Sequence, residues 1–190
     1  VGSSVSLPSG YAIEYGGEFE NQIRATNNLL TVIPLVIAVI VLILFTIFGS
    51  LKLAALVMAN VPFAVMGGVY ALFITGEYIS VPASVGFIAL LGVAVLNGVV
   101  MVSHYESLKR QSLSLSERVA NGAVSRLRPI LMTATTAMFG LLPLAFASGP
   151  GAEIQKPLAI VVIGGLISST LITLYLLPIG YHYLERRQNG

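Results

Sequence analysis

Five charge-free apolar stretches, 25–51, 53–76, 78–105, 129–152 and 157–184, alternate along the chain with short clusters of charged residues. Each exceeds the ~20 residues that an α-helix needs to cross a hydrocarbon core of ~30 Å. None has the period-two alternation of a barrel strand, and in lipid only helices and closed barrels satisfy their own backbone groups. The pattern predicts an all-α integral membrane protein with five transmembrane helices, at 29–48, 54–74, 83–103, 130–148 and 158–180.

The polar segments carry their own signals. In the N-terminal segment 1–28, Leu7-Pro8-Ser9-Gly10 reads as a turn and Tyr11–Tyr15 as a short alternating strand, which needs partner strands from elsewhere. The polar run Glu18–Gln22 passes without a breaker into the first span, so one helix is expected to begin in water and continue through the membrane. In the connector 104–129, Ser114-Leu115-Ser116-Glu117 has the form of a capping box. Leu115, Val119, Ala123 and Leu127 follow at four-residue steps, which predicts an amphipathic helix at the membrane interface or a solvated helical linker. Pro129 is expected in the first turn of the fourth span, where its missing N–H costs nothing.

Charge fixes an expected orientation. Eight of the ten basic residues, Lys52, Lys109, Arg110, Arg118, Arg126, Arg128, Arg186 and Arg187, fall on one side of the membrane if the five spans alternate. Arg24 and Lys156 fall on the other. The excess of Lys and Arg marks the cytoplasmic side, which predicts an N-terminus outside the cytoplasm and a cytoplasmic C-terminus. Composition agrees with a lipid solvent: 56% of the 190 residues are hydrophobic and 9% charged, with a mean hydropathy of +0.89. A soluble domain has about 45–50% apolar residues. The net charge of +2 is small and sits beside apolar runs, so nucleic acid is not an expected partner. Without cysteine there is neither a disulfide frame nor a thiolate metal site. Val1-Gly2-Ser3-Ser4 lacks the basic start of a signal peptide and reads as a cut end.

No Asp, Glu, Lys or Arg lies within a span, so the spans hold no proton relay of their own. Their polar side chains include Asn97, Ser103, Thr133, Thr135, Thr136, Ser168, Ser169, Thr170 and Thr173; for Asn97 the plain reading is interhelical hydrogen bonding, and for Thr133, Thr135 and Thr136 it is a bond back to their own helix. Small residues recur four apart: Gly67 and Gly68 with Ala71, Ala94 with Gly98, and Gly164 and Gly165 with Ser168 and Ser169. Such stripes let helix backbones approach closely, as in a packed bundle. The five methionines are dispersed, and His104 and His182 form no zinc cluster by spacing, so neither a cofactor nor a resident metal is expected. The spans hold no acid pair or nucleophile–base pair, which disfavours an intramembrane enzyme.

Three ordered motifs carry a family resemblance: Gly86-Phe87-Ile88-Ala89-Leu90-Leu91-Gly92-Val93-Ala94-Val95-Leu96-Asn97-Gly98-Val99-Val100-Met101, Arg126-Leu127-Arg128-Pro129-Ile130-Leu131-Met132-Thr133, and Gly149-Pro150-Gly151-Ala152-Glu153-Ile154-Gln155-Lys156-Pro157-Leu158-Ala159. With Gly164-Gly165-Leu166-Ile167-Ser168-Ser169-Thr170, the chain resembles the resistance-nodulation-division permeases, in particular their heavy-metal efflux branch of the cobalt-zinc-cadmium type. The resemblance implies that residues 29–190 are the last five of twelve membrane helices and that 1–28 end the periplasmic porter region. It implies a proton-driven exporter in the inner membrane of a Gram-negative cell. Its expected partners are the N-terminal half of the permease, two further copies in a homotrimer, a periplasmic adaptor and an outer-membrane channel. By motif position Thr133, Arg126 and Asn97 match residues that support a relay whose acidic members lie upstream. Leu96 stands where drug-exporting relatives carry lysine, which favours the metal branch. A membrane scaffold or assembly module without transport remains the alternative reading.

Overall fold

A computed structural model describes residues 18–109, 111 and 113–188. The expected strand at Tyr11–Tyr15 lies outside these residues. Six helices follow in order: α1 Glu18–Phe48, α2 Leu51–Met58, α3 Asn60–Thr75, α4 Val81–Lys109, α5 Leu115–Ala145 and α6 Ala152–Gln188. Among the described residues there is no strand.

As the pattern predicts, α1 starts in the polar run at Glu18 and continues into the apolar stretch Val32–Phe48. Gly49, with φ of 59°, ends it in the left-handed conformation that glycine adopts without strain. Helices α2 and α3 together form one apolar span of 25 residues, Leu51–Thr75. The break between them at Ala59 has a local cause in Pro62, which has no N–H to offer the Met58 carbonyl and whose ring crowds that oxygen. Gly76, with φ of 72°, closes α3, and the Glu77 N–H bonds back to the Leu72 carbonyl at 3.1 Å. Helices α4, α5 and α6 are also long and apolar enough to cross a bilayer.

The capping box is formed: the Glu117 N–H donates to Ser114 Oγ at 3.4 Å, and the Ser114 N–H donates to Glu117 Oε2 at 3.0 Å. One expectation needs correction. Pro129 does not open a new helix, because α5 runs unbroken from Leu115 to Ala145 and holds both Pro129 and Pro143 inside it. Proline's fixed φ is itself helical, and Pro129 is solvent- or lipid-exposed, so the turn tolerates the bond lost at the Ser125 carbonyl. The amphipathic stretch and the fourth span are thus one rod.

Helix α6 is the axis of the bundle, with α3, α4 and α5 packed around it, while α1 rests on α2 and α4. Between α3 and α6 backbone comes close to backbone. A methyl group added at Gly67 would lie 2.3 Å from Ser168 Cβ, and one at Gly164 would lie 2.2 Å from Ala71 Cβ. Ser168 Oγ then donates to the Phe63 carbonyl across the seam at 2.8 Å. Elsewhere Gly68 meets Phe87 and Val161, Gly98 meets Val57, and Gly165 meets Leu90. Two apolar clusters fill the interior. One gathers Leu44, Val57, Met101, Tyr105, Leu177 and Tyr181. The other gathers Ala64, Leu72, Leu90, Ala94, Val161 and Leu166.

Candidate functional site

Polar side chains inside this apolar bundle fall at two levels. The deeper one is built at the α2–α3 break. Asn60, the first residue of α3, is fully buried, and its Nδ2 donates to Ser169 Oγ at 3.2 Å, to Thr173 Oγ1 and, at 3.4 Å, to the Ala94 carbonyl. One amide thereby joins α3, α4 and α6. Asn97 stands one turn along α4 from Ala94, is 8% exposed, and has no hydrogen-bond partner on its Nδ2. Thr170 Oγ1 and Asn60 Oδ1 are likewise buried without a partner.

The second level lies at the end of the bundle where α4 and α6 finish and α5 begins. Glu185 of α6 is 5% exposed and takes Lys109 Nζ at 2.7 Å, with Arg118 Nη1 of α5 at 3.9 Å. Tyr181 donates to Glu106 Oε1 at 2.7 Å, and its ring lies 4.9 Å from that of Tyr105. Gly122 admits Tyr105, because a Cβ there would meet the ring at 2.5 Å. Arg126 Nη2 is 3.4 Å from His104 Nδ1, and His104 Nε2 is 2.8 Å from Ser125 Oγ. A guanidinium can only donate, so Nδ1 accepts and the ring proton sits on Nε2, facing Ser125. The Ser125 hydroxyl in turn donates a hydrogen bond to the Gly122 carbonyl at 3.0 Å.

The three residues singled out as relay support occupy different surroundings. Arg126 belongs to the end cluster through His104. Asn97 is buried in the bundle, while Thr133 is exposed on α5 and bonds back to its own Ile130 carbonyl at 3.0 Å. Starting from the His104–Arg126 contact, Asn97 lies seven residues back along α4 and Thr133 seven residues on along antiparallel α5. Each step is a rise of ~10 Å, so the two lie at similar depth. Beside Asn97, α4 presents an uncovered stripe of Val85, Ala89, Gly92, Leu96 and Ser103. Nothing lies within 4 Å of where a Cβ on Gly92 would be.

Sequence reasoning passed over Asn60, although a lone amide two residues before a proline in an apolar window was a usable signal. It gave Glu185 and Glu106 no role, and Arg118 counted only among the basic residues that set orientation. Among the described residues no group of three or more His, Cys, Asp or Glu could hold a metal ion.

Comparison with known proteins places this geometry. Residues 1–185 match the model of the AcrB/AcrD/AcrF family. The chain is 48% identical over 187 residues to the cobalt-zinc-cadmium resistance protein CzcA of Cupriavidus metallidurans, covering 98% of this chain and 18% of that protein. It is 35% identical over 192 residues to the cation efflux system protein CusA of Escherichia coli, covering 95% of this chain and 18% of CusA. A crystal structure of a heavy metal efflux pump superposes with a TM-score of 0.80 at 45% identity, over 96% of this chain and 18% of that one. The chain thus spans less than one fifth of the length of these relatives. It belongs to the AcrB/AcrD/AcrF family and, within it, to the heavy-metal branch of the resistance-nodulation-division permeases.

Proposed function

We propose that residues 1–190 form the C-terminal membrane portion of a proton-driven efflux permease that exports heavy-metal cations. Residues 1–28 then end a periplasmic region and residues 29–190 form the membrane domain, in the inner membrane with the N-terminus periplasmic and the C-terminus cytoplasmic. The rest of the permease, a homotrimeric assembly, a periplasmic adaptor and an outer-membrane channel complete the machine in this reading. Names of the relatives supply the substrate class: a cobalt-zinc-cadmium resistance protein, a nickel-cobalt-cadmium resistance protein and a cation efflux system protein.

The observation that carries the reading is Asn97, a buried amide with an unpartnered Nδ2, standing beside the open stripe on α4. A further helix laid on Ala89, Gly92 and Leu96 would approach closely, because two of the three side chains are small or absent. A carboxylate on that helix would find an N–H donor in Asn97, with the Thr133 hydroxyl at similar depth and the Arg126 guanidinium nearer the membrane edge. Hydroxyls and one amide do not titrate near neutral pH, so these groups orient a relay and do not supply its proton. The chain by itself is then inactive.

Two measurements test the proposal. The isolated chain in liposomes, given an imposed pH gradient, should move no cobalt, zinc or cadmium. In the complete permease, a double Asn97→Ala, Thr133→Ala variant should lower gradient-driven metal export. Each interhelical hydrogen bond is worth about 0.6–1.7 kcal/mol, so the loss should be roughly 3- to 20-fold per bond. Metal movement by the isolated chain, or an unchanged rate in the double variant, would refute the reading.

A further inference from the structure

At the end of the bundle opposite the Glu185 cluster, Lys156 of α6 donates to Glu77 Oε1 at 2.7 Å. Below this pair a groove of about 510 Å³ runs between α3, α5 and α6, with Ile74, Phe146, Ile160, Ile163 and Ile167 among its walls and Lys156 as the one charged wall among the described residues. From Lys156 to Ile167 is eleven residues of helix, or ~16 Å of rise. The groove is long and apolar enough to take one extended hydrocarbon chain. Lys156 has three N–H donors, and Glu77 Oε1 uses one. Its side chain is 38% exposed, so the remaining donors are open to an anion at the membrane surface. In a bilayer no water is available to fill an apolar cleft at this depth.

We infer that this groove is a phospholipid site: one acyl chain lies along Ile160, Ile163 and Ile167, and the lipid phosphate accepts hydrogen bonds from Lys156. Glu77 holds the ammonium over the mouth of the groove and competes with the phosphate for it. This gives the two members of the ion pair opposite effects. Removing the lysine removes the headgroup contact, while neutralising Glu77 leaves the cation free for the phosphate. A purely structural ion pair would respond alike to both changes.

The test is photolabelling. Membranes containing the complete polypeptide that carries residues 1–190 are supplemented with phosphatidylglycerol bearing a diazirine on its acyl chain, irradiated, and analysed by peptide mass spectrometry. Adducts are expected on the peptides that contain Phe146 and Ile160–Ile167. Lys156→Gln should lower their yield about fivefold, and Glu77→Gln should leave it equal or raise it. No adduct on these peptides in the unaltered protein overturns the assignment, as does an equal loss in both variants. Independently of whether Lys156→Gln folds, an Ile163→Cys protein offers a second measurement. Disulfide formation between position 163 and a cysteine scanned along the remaining helices of the polypeptide would show that protein fills the groove and would overturn the lipid site; failure to cross-link at any of them supports it.

Discussion

Replacing Gly67 by alanine should open the seam between α3 and α6. The added methyl would lie 2.3 Å from Ser168 Cβ and 2.7 Å from the Gly164 carbonyl oxygen. Carbon atoms in contact prefer 3.5–4.0 Å, so the helices must part by roughly 1.5 Å. Backbone blocks the way on one side, which rules out relief by a rotamer change. Overpacking of this kind costs about 1–3 kcal/mol. Parting the helices also weakens the bond from Ser168 Oγ to the Phe63 carbonyl, worth ~0.6 kcal/mol in a membrane bundle. Alanine's better helix propensity returns up to ~1 kcal/mol, which leaves a net loss of about 1–3 kcal/mol. Gly92→Ala is the matched control, since nothing lies within 4 Å of its added methyl. There the propensity gain stands alone, and the variant should be neutral or more stable by up to ~1 kcal/mol. The assay is reversible unfolding of the chain in mixed micelles with increasing SDS, followed by circular dichroism because the sequence has no tryptophan. Equal unfolding midpoints for the two variants would refute the argument that close backbone approach at Gly67 organises the bundle.

Two further outcomes concern the end where α5 begins. Glu185→Gln leaves Arg118 buried without its carboxylate, and removing one partner of a buried pair costs about 3–5 kcal/mol; because Lys109 is partly exposed, roughly 2–3 kcal/mol is expected here. Lys109→Met leaves Arg118 beside Glu185 and should cost less, and thermal unfolding that ranks the two variants the other way would count against the shared-carboxylate geometry. At the α5 N-cap, hydrogen bonds from the Ser114 hydroxyl and N–H hold the Glu117 carboxyl below its ordinary value of 4.5. A depressed carboxyl stabilises the folded cap above that value and loses the contribution as pH falls through the lowered one, so the protection of the Glu117–Val119 amides, taken relative to intrinsic exchange at each pH, should fall in acid. Glu117→Gln should abolish this pH dependence, and a variant that still shows it would refute the assignment.

The spans were legible because charge is excluded from hydrocarbon, and the long charge-free windows mark them directly. The capping box was legible because its two hydrogen bonds need only local spacing. Pro129 was misplaced for a reason that local spacing cannot reveal. A proline opens a helix or sits within it with the same φ, and the choice depends on whether the freed carbonyl is tolerated. Glu185 was passed over because the last charge-free window, 157–184, ends beside it. Helix α6 has 37 residues, however, and at 1.5 Å each it is ~55 Å long, well beyond a ~30 Å core. Its charged overhang is therefore still packed against α4 and α5. Asn60 was missed because one amide barely alters the hydropathy of its window; its place becomes evident only when α6 brings Ser169 and Thr173 to it.

In lipid the tails are as apolar as leucine, so helices in this bundle gain little from hiding hydrocarbon from water, and close packing with polar contacts must hold them. These two resources are concentrated on α6. Gly164 and Ser168 set its distance from α3, Ser169 and Thr173 take the Asn60 amide, and Tyr181 and Glu185 engage the ends of α4 and α5. By contrast α1 has no such contact among its described side chains, and its apolar residues Leu35, Leu42 and Phe45 stay exposed. The Ala59 break then takes on a mechanical meaning. Asn60 pins the α3 side of the break to α4 and α6, while α2, on the other side, is held by the apolar contacts of Leu56 and Val57 with Gly180 and Gly98. Hydrogen bonds are directional and apolar contacts are not. The α3–α6 unit is therefore expected to hold its geometry more firmly than α1 with α2, and slower amide exchange in α3 than in α2 would show it.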